Sequence, residues 1–304
     1  MAKVTPIANE TQTNAHAAVP VVASARASAP GVMRQFFNNR FVYSVLSQRA
    51  RGLSIGINMN PDARCNFNCV YCEVNRNVAR RDTEVDVDVL VGELEKMLRL
   101  VHEDKLHALP PYERTPRELL QLKEVALSGD GEPTLCPNFI DIVQAVVRVR
   151  AQGSFPFFKI VLITNCAGFH LPHVQSGIQS LTARDEIWAK LETGTQASMD
   201  RINRPDIKLE QLIENILLVA RQRPVVIQSL FPLINGEGPA EQEIAEYVRR
   251  LSELKNAGAQ ISLVQIYSAH RPAAHEGVGH LSLRALSQIA KSVREGTGLR
   301  AEVF

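Results

Sequence analysis

The chain has 304 residues, 45% hydrophobic and 22% charged, which is enough apolar material for a full core and unlike a disordered chain. Its formal charge of +2 gives no global basic field of the kind that marks a nucleic-acid-binding domain, although Arg76, Arg80 and Arg81 form a local cluster. No apolar run is long enough to span a bilayer, and five cysteines, three of them within eight residues, do not read as a disulfide framework.

Residues 1–33 are rich in Ala, Thr, Ser and Pro and predict a flexible N-terminal tail ahead of one domain, residues 34–304. The best apolar piece of the tail, AAVPVVA, is short and broken by Pro20, a poor signal-peptide core. Clustered thiols without a secretion signal predict a reducing, cytoplasmic setting.

From residue 53 strands and helices alternate. LSIGINMN (53–60) reads as a strand that runs into a cysteine-rich loop. DVDVLVGELEKMLRLV (86–101) carries Leu90, Leu94, Met97, Leu98 and Val101 at helical spacing behind an Asp able to cap. Residues 102–123 look like a connecting excursion. EVALS (124–128) is a strand leading into the glycine-rich GDGEP, and 138–153 is a helix stopped by Gly153. FKIVLIT (158–164) is a nearly continuous apolar strand, as expected when both faces are covered.

A weaker helix occupies 172–181, and EIWAKLE (186–192) is a strand. Helices follow at about 196–203 and 208–221. PVVIQSLF (224–231) is a strand, 239–258 an amphipathic helix, QISLVQIYS (260–268) a strand and 282–296 a helix. LRAEVF closes the chain as a short strand. This order predicts a parallel sheet covered by helices, either doubly wound or a (β/α) barrel, with chemistry at the C-terminal ends of the strands.

The cysteine loop has the spacing C-x3-C-x2-C: Cys65, Cys69 and Cys72. Thiolates are soft ligands for iron or zinc. A structural zinc ion takes four protein ligands, and no second cysteine pair is present to complete one. Three thiolates on a 4Fe–4S cluster leave one iron open to a substrate or cofactor, whereas a ferredoxin closes its cluster with four.

Cys65-Asn-Phe-Asn-Cys69-Val-Tyr71-Cys72 resembles the signature of the radical S-adenosylmethionine (SAM) superfamily. The longer stretches SIGINMNPDARCNFNCVYCEVNR, ALSGDGEPTL, WAKLETGTQASMDRINRP and VQIYSAHRPAAHEGVGHLS resemble its wyosine-synthase-like subgroup. Wyosine synthases carry further cysteines upstream of the signature; here none precedes Cys65. The C-terminal cysteine set of the related molybdenum-cofactor cyclase is also missing.

The resemblance implies a partial (β/α)6 TIM-like barrel. It implies a 4Fe–4S cluster on Cys65, Cys69 and Cys72, with SAM on the open iron. Tyr71 would lie beside the adenine, and Ser128, Gly129, Asp130, Gly131 and Glu132 would hold the methionine end. Thr164 and Asn165, in ITNCAG, resemble the turn on the SAM side, or are simply a strand-ending turn.

Trp188, Lys190 and Glu192 alternate and so share one face. If that face is the lumen, Glu192 meets the SAM ribose and Lys190 an anionic substrate; otherwise they face solvent near a strand end. Gln228 and Gln265 are lone amides in apolar strands, either lumen contacts or satisfied core groups. Cys166 at a strand end and Arg271 in the loop after the last long strand are further substrate contacts to test. His270, His275 and His280 in that loop read as solvated.

The implied activity is reductive cleavage of SAM to a 5′-deoxyadenosyl radical that abstracts hydrogen from a small-molecule or RNA substrate. The electron would come from a donor such as flavodoxin or ferredoxin, and no membrane is involved. Two alternatives stand beside it: a tRNA base-modifying enzyme, and a non-catalytic iron–sulfur or regulatory protein. An intact SGDGEP disfavours the last.

Overall fold

The structure, a computed structural model, describes residues 34–269 and 275–304. An eight-stranded sheet forms its centre, in the order β1-β2-β3-β4-β5-β6-β8-β10. These strands are β1 (Val42–Ser47), β2 (Gly52–Asn58), β3 (Leu122–Ser128), β4 (Lys159–Thr164), β5 (Glu186–Lys190), β6 (Val225–Leu230), β8 (Ile261–Tyr267) and β10 (Ala301–Val303). All adjacent pairs are parallel except β1 with β2, which are antiparallel. A separate antiparallel pair joins β7 (Pro232–Ile234) to β9 (Val278–His280).

Among the described residues seven α-helices cover the sheet: α1 (Val87–His102), α2 (Phe139–Ala151), α3 (Pro172–Gln179), α4 (Gln196–Ile202), α5 (Leu209–Ala220), α6 (Glu241–Asn256) and α7 (Leu283–Thr297). The predicted βα alternation from β2 onward is present, as an open, partial barrel. The β1 strand, antiparallel at one edge, and the short β7–β9 pair were not predicted.

Local chemistry sets these elements. Asp86 caps α1 by accepting from Val89 N at 3.1 Å. Leu90, Leu94, Met97 and Leu98 form its buried stripe, each contributing ~1.5–3 kcal/mol on burial. Ser282 caps α7, and Gly298, at φ 67°, ends it in the left-handed conformation.

Strand alternation sorts side chains into two cores. Ile160, Leu162, Ile187, Ala189, Val225, Ile227, Val264 and Ile266 face the helices. Val161, Trp188 and Val226, with Ile163 and Leu263, meet on the other side of the same strands, inside the barrel. In parity with this inner set stand Glu124, Ala126 and Ser128 on β3, Lys190 on β5, Gln228 on β6 and Gln265 on β8. At the start of the strands Lys159 pairs with Glu186 at 2.8 Å and lies 4.0 Å from Glu124. The interior therefore runs from a charged floor, through an apolar ring, to a polar rim.

The sheet does not close. Its edge strands are β1 and β10, and the turn between β1 and β2 crosses toward β10 through an Arg51–Glu302 ion pair at 2.9 Å. Among the described residues no helix is long and apolar enough to cross a membrane. The predicted tail, His270 and Arg271 lie outside the described residues.

Candidate functional site

The cysteine loop leaves the end of β2 and is fastened to the rest of the rim along its length. Met59 N donates to Ser128 O at 2.8 Å. The Asn58 amide oxygen accepts from Asp130 N at 2.9 Å and Asn60 N at 3.3 Å. Asn68 N donates to Asn203 O and Val70 N to Ile202 O, which tie the loop to the end of α4. Arg76 donates to Phe67 O at 2.8 Å.

The loop and the glycine turn meet at van der Waals limit. Glu132 N donates to Arg64 O at 2.9 Å, and a Cβ on Gly131 would lie 1.9 Å from that same carbonyl oxygen. Only glycine lets these two backbones approach so closely. Gly56 acts similarly below: its missing side chain leaves room for the Tyr43 ring, whose hydroxyl hydrogen-bonds Ser128 Oγ at 2.8 Å.

Cys65, Cys69 and Cys72 are half-buried and carry no disulfide. Donors are aimed at two of the sulfurs: Phe67 N at 3.4 Å from Cys65 Sγ, Asn165 Nδ2 at 4.0 Å from the same atom, and Asn203 Nδ2 at 3.6 Å from Cys69 Sγ. Burial pushes the Cys69 thiol up to about 11 and raises that of Cys65, so a metal must displace their protons to bind. Among the described residues no trio of His, Cys, Asp or Glu converges as a single-ion site would require. Donor type, number and the N–H groups aimed at sulfur fit a 4Fe–4S cluster.

Glu132 is buried and accepts four hydrogen bonds. Its Oε1 accepts from Thr134 N at 3.0 Å, from Thr134 Oγ1 at 2.8 Å and from Thr164 Oγ1, and its Oε2 accepts from Asn165 N at 2.7 Å. One carboxylate thus clamps the glycine turn to the end of β4. Burial raises its proton affinity, and these donors oppose the rise without cancelling it. Asp130 is held by Arg34 at 2.6 Å and Arg80 at 2.9 Å.

On the far side, Tyr71 donates to Glu192 at 2.5 Å, and Asn203 Nδ2 reaches the same carboxylate at 2.5 Å. Lys190 Nζ lies 5.8 Å from the Tyr71 ring centroid. Burial opposes the charge on Lys190. Tyr267, Glu192, Cys69 and Cys72 outweigh it and hold the ammonium above its usual range.

These groups line a single cavity of about 510 Å3. It takes in the three cysteines, Tyr71, the stretch Ser128–Glu132, Thr164, Asn165, Lys190, Glu192 and Gln228. Two of the expected residues do not line it. Gln265 is buried behind Gln228, accepting from its amide at 3.1 Å. Cys166 is fully buried: its positive φ of 67° turns the thiol into the core, and Asn215 clamps its carbonyl at 3.1 Å.

The cavity also contains residues the sequence did not single out: Arg49, Glu124, Asn203 and Tyr267. Glu124 was legible in principle, since EVALS puts it on the same strand face as Ser128.

No family model matches the chain. A UPF0026 protein of Helicobacter pylori is 24% identical over 233 residues, covering 75% of this chain and 67% of that protein. A UPF0026 protein of Synechocystis is 27% identical over 178 residues, 58% of this chain and 57% of the relative. Among solved structures, TYW1 with a lysine–pyruvate adduct bound superposes with a TM-score of 0.54 at 16% identity, covering 84% of each chain. Streptococcus suis SuiB bound to S-adenosylmethionine gives 0.51 at 13% identity, over 84% of this chain and 49% of that one. A spore photoproduct lyase with its dinucleoside spore photoproduct gives 0.50 at 10% identity, over 79% and 74%. The chain shares its fold with these three structures.

Proposed function

We propose that this chain is a radical SAM enzyme whose three-thiol loop and glycine turn form one composite cofactor site. The observation that carries the reading is their interlock: Gly131 packed on Arg64 O, with both segments lining the same 510 Å3 cavity. When bound, the 4Fe–4S cluster would supply one electron that splits SAM into methionine and a 5′-deoxyadenosyl radical, which takes a hydrogen atom from the substrate.

The chain's own residues have definable tasks in this reading. Cys65, Cys69 and Cys72 present three thiolates. Ser128–Glu132 offers backbone groups and one carboxylate to the methionine end, and Oε2 of Glu132, with a single protein donor, keeps an acceptor site for an ammonium. Glu192, positioned by Tyr71 and Asn203, is placed to accept from ribose hydroxyls. Lys190 offsets the negative charge gathered around the thiols. An external donor of the flavodoxin or ferredoxin class would provide the electron.

Protein handled without oxygen and reconstituted with iron and sulfide should hold about four irons per chain. Given dithionite and SAM it should release 5′-deoxyadenosine slowly, even without its true substrate. Alanine at Cys65, Cys69 or Cys72 should abolish both. Iron-replete protein that neither binds SAM nor forms deoxyadenosine would support the non-catalytic alternative. Stoichiometric zinc in place of iron would remove the cluster altogether.

A further inference from the structure

The cavity does not end at the thiols and the glycine turn. It continues to the open seam of the sheet, where Leu46 of β1 and Phe304, just past β10, line it. Among the described residues four cations line the cavity; Arg34 is paired with Asp130 and Arg76 donates to Phe67 O, which leaves Arg49 from the β1–β2 turn and Lys190 from the end of β5. The Arg49 guanidinium stacks 4.6 Å from the centroid of the Tyr267 ring. Its buried Nε has no hydrogen-bond partner among the described residues. Neither Arg49 nor Lys190 forms a direct ion pair with a carboxylate of a described residue, although Glu124 acts on Arg49, and Glu192 on Lys190, through charge.

Three of the nearby acids are already engaged. Asp130 is taken by Arg34 and Arg80, Glu132 by four donors, and Glu192 by Tyr71 and Asn203. Glu124, buried beside Ser54, has its carboxyl raised to about 7 by burial, so it carries only part of a charge near pH 7, and it acts on Arg49 without an ion pair. Both Arg49 and Lys190 lie close enough to Tyr267 to act on its phenol. A half-buried guanidinium without a direct ion pair, and with an unpartnered Nε, is costly to keep. Arginine is also the side chain whose planar fork fits a carboxylate or phosphate in two-point fashion.

We infer that the seam end of the cavity is an oxyanion subsite, in which Arg49, stacked on Tyr267 and assisted by Lys190, binds the carboxylate or phosphate group of a small substrate. This inference deepens the reading of the cavity as a SAM enzyme's and names its substrate class. The anion would anchor the substrate at the seam and leave the rest of the molecule to extend toward the thiol end.

The test uses the full chain, reconstituted without oxygen. Radiolabelled inorganic phosphate and, separately, malonate are measured by equilibrium dialysis at constant ionic strength held with chloride. Saturable binding of at least one is expected, and the preferred probe tells a phosphoryl substrate from a carboxylate one. Arg49→Gln should weaken it about ten- to a hundredfold, and Arg49→Lys by less, because the charge stays while the fork is lost. SAM affinity and slow deoxyadenosine release should stay within about twofold of the wild type in both variants, since Arg49 is assigned to the substrate and not to SAM.

Three results would overturn the inference: no binding of either anion to wild type, unchanged anion binding in Arg49→Gln, or a parallel loss of SAM affinity. If Arg49→Gln melts early, the Arg49→Lys arm decides, with unweakened binding counting against the subsite. Anion binding that depends on Arg49 in a protein unable to bind SAM would leave the subsite standing and remove the cofactor reading.

Discussion

Glu124→Gln isolates the electrostatic cost of the barrel floor. Glu124 is 1% exposed, takes one hydrogen bond from Ser54 at 3.2 Å, and has an Oε2 without a hydrogen-bond partner. The charged groups around it are Lys159, Glu186 and Arg49. Burial raises its carboxyl from 4.5 to about 7, with Lys159 working against that rise. The folded state therefore holds the proton more tightly than the unfolded chain does. The resulting stabilisation is complete below pH 4.5 and is lost as pH rises through about 7.

At 1.36 kcal/mol per pH unit the full span is on the order of 3 kcal/mol, of which ~2–3 kcal/mol falls between pH 5 and pH 8. Glutamine keeps the shape and removes the titration. Urea unfolding of wild type and variant at the two pH values gives the answer by difference, because the other titrating groups largely cancel. The variant should gain ~2–3 kcal/mol on the wild type between pH 5 and pH 8. A difference that stays flat, or that favours the wild type at high pH, would refute a buried and mainly protonated Glu124.

Gly131→Ala should separate the two halves of the proposed cofactor site, since its Cβ would sit 1.9 Å from Arg64 O. Iron per chain should fall sharply while the far-ultraviolet circular dichroism persists, and full iron loading would contradict the interlock. Gly92→Ala, in α1 with nothing within 4 Å of the new methyl, should instead stabilise the fold by ~1 kcal/mol in urea unfolding. Cys166→Ala should keep its iron, because the thiol points into the core; loss of iron from a folded variant would make Cys166 a ligand.

The parts of this architecture that rest on periodicity were legible in the sequence. The strands from β2 to β8, apart from the short β7, announce themselves by apolar runs between amphipathic helices, and α1 shows both its stripe and its cap. The shared face of Trp188 and Lys190 follows from alternation alone. The thiol loop and the glycine turn are local motifs, each readable within about ten residues.

What escaped depends on contacts far apart in the chain. The β1 strand gains its identity from pairing with β2 in register Val42 to Ile57, and it has no helix of its own to mark it. Arg49 sits in a turn without a motif, and it meets Tyr267 only because the open sheet brings its two edges together. Glu132 reads as a ligand contact in sequence, yet four donors from two segments also make it a clamp. Cys166 follows Asn165 directly, but a left-handed backbone turns it the other way.

Trp188 is the single tryptophan of the chain, and it stands in the apolar ring inside the barrel with its indole N–H donating to Glu186 at 2.8 Å. The protein therefore carries one indole fluorophore, located in the wall of its own cavity and excited apart from the five tyrosines at the red edge of its absorption. Iron–sulfur clusters absorb broadly where indole emits, so cluster assembly should quench this one signal by energy transfer. Emission from the unmodified chain then becomes a direct optical record of cofactor loading, read in real time without a label.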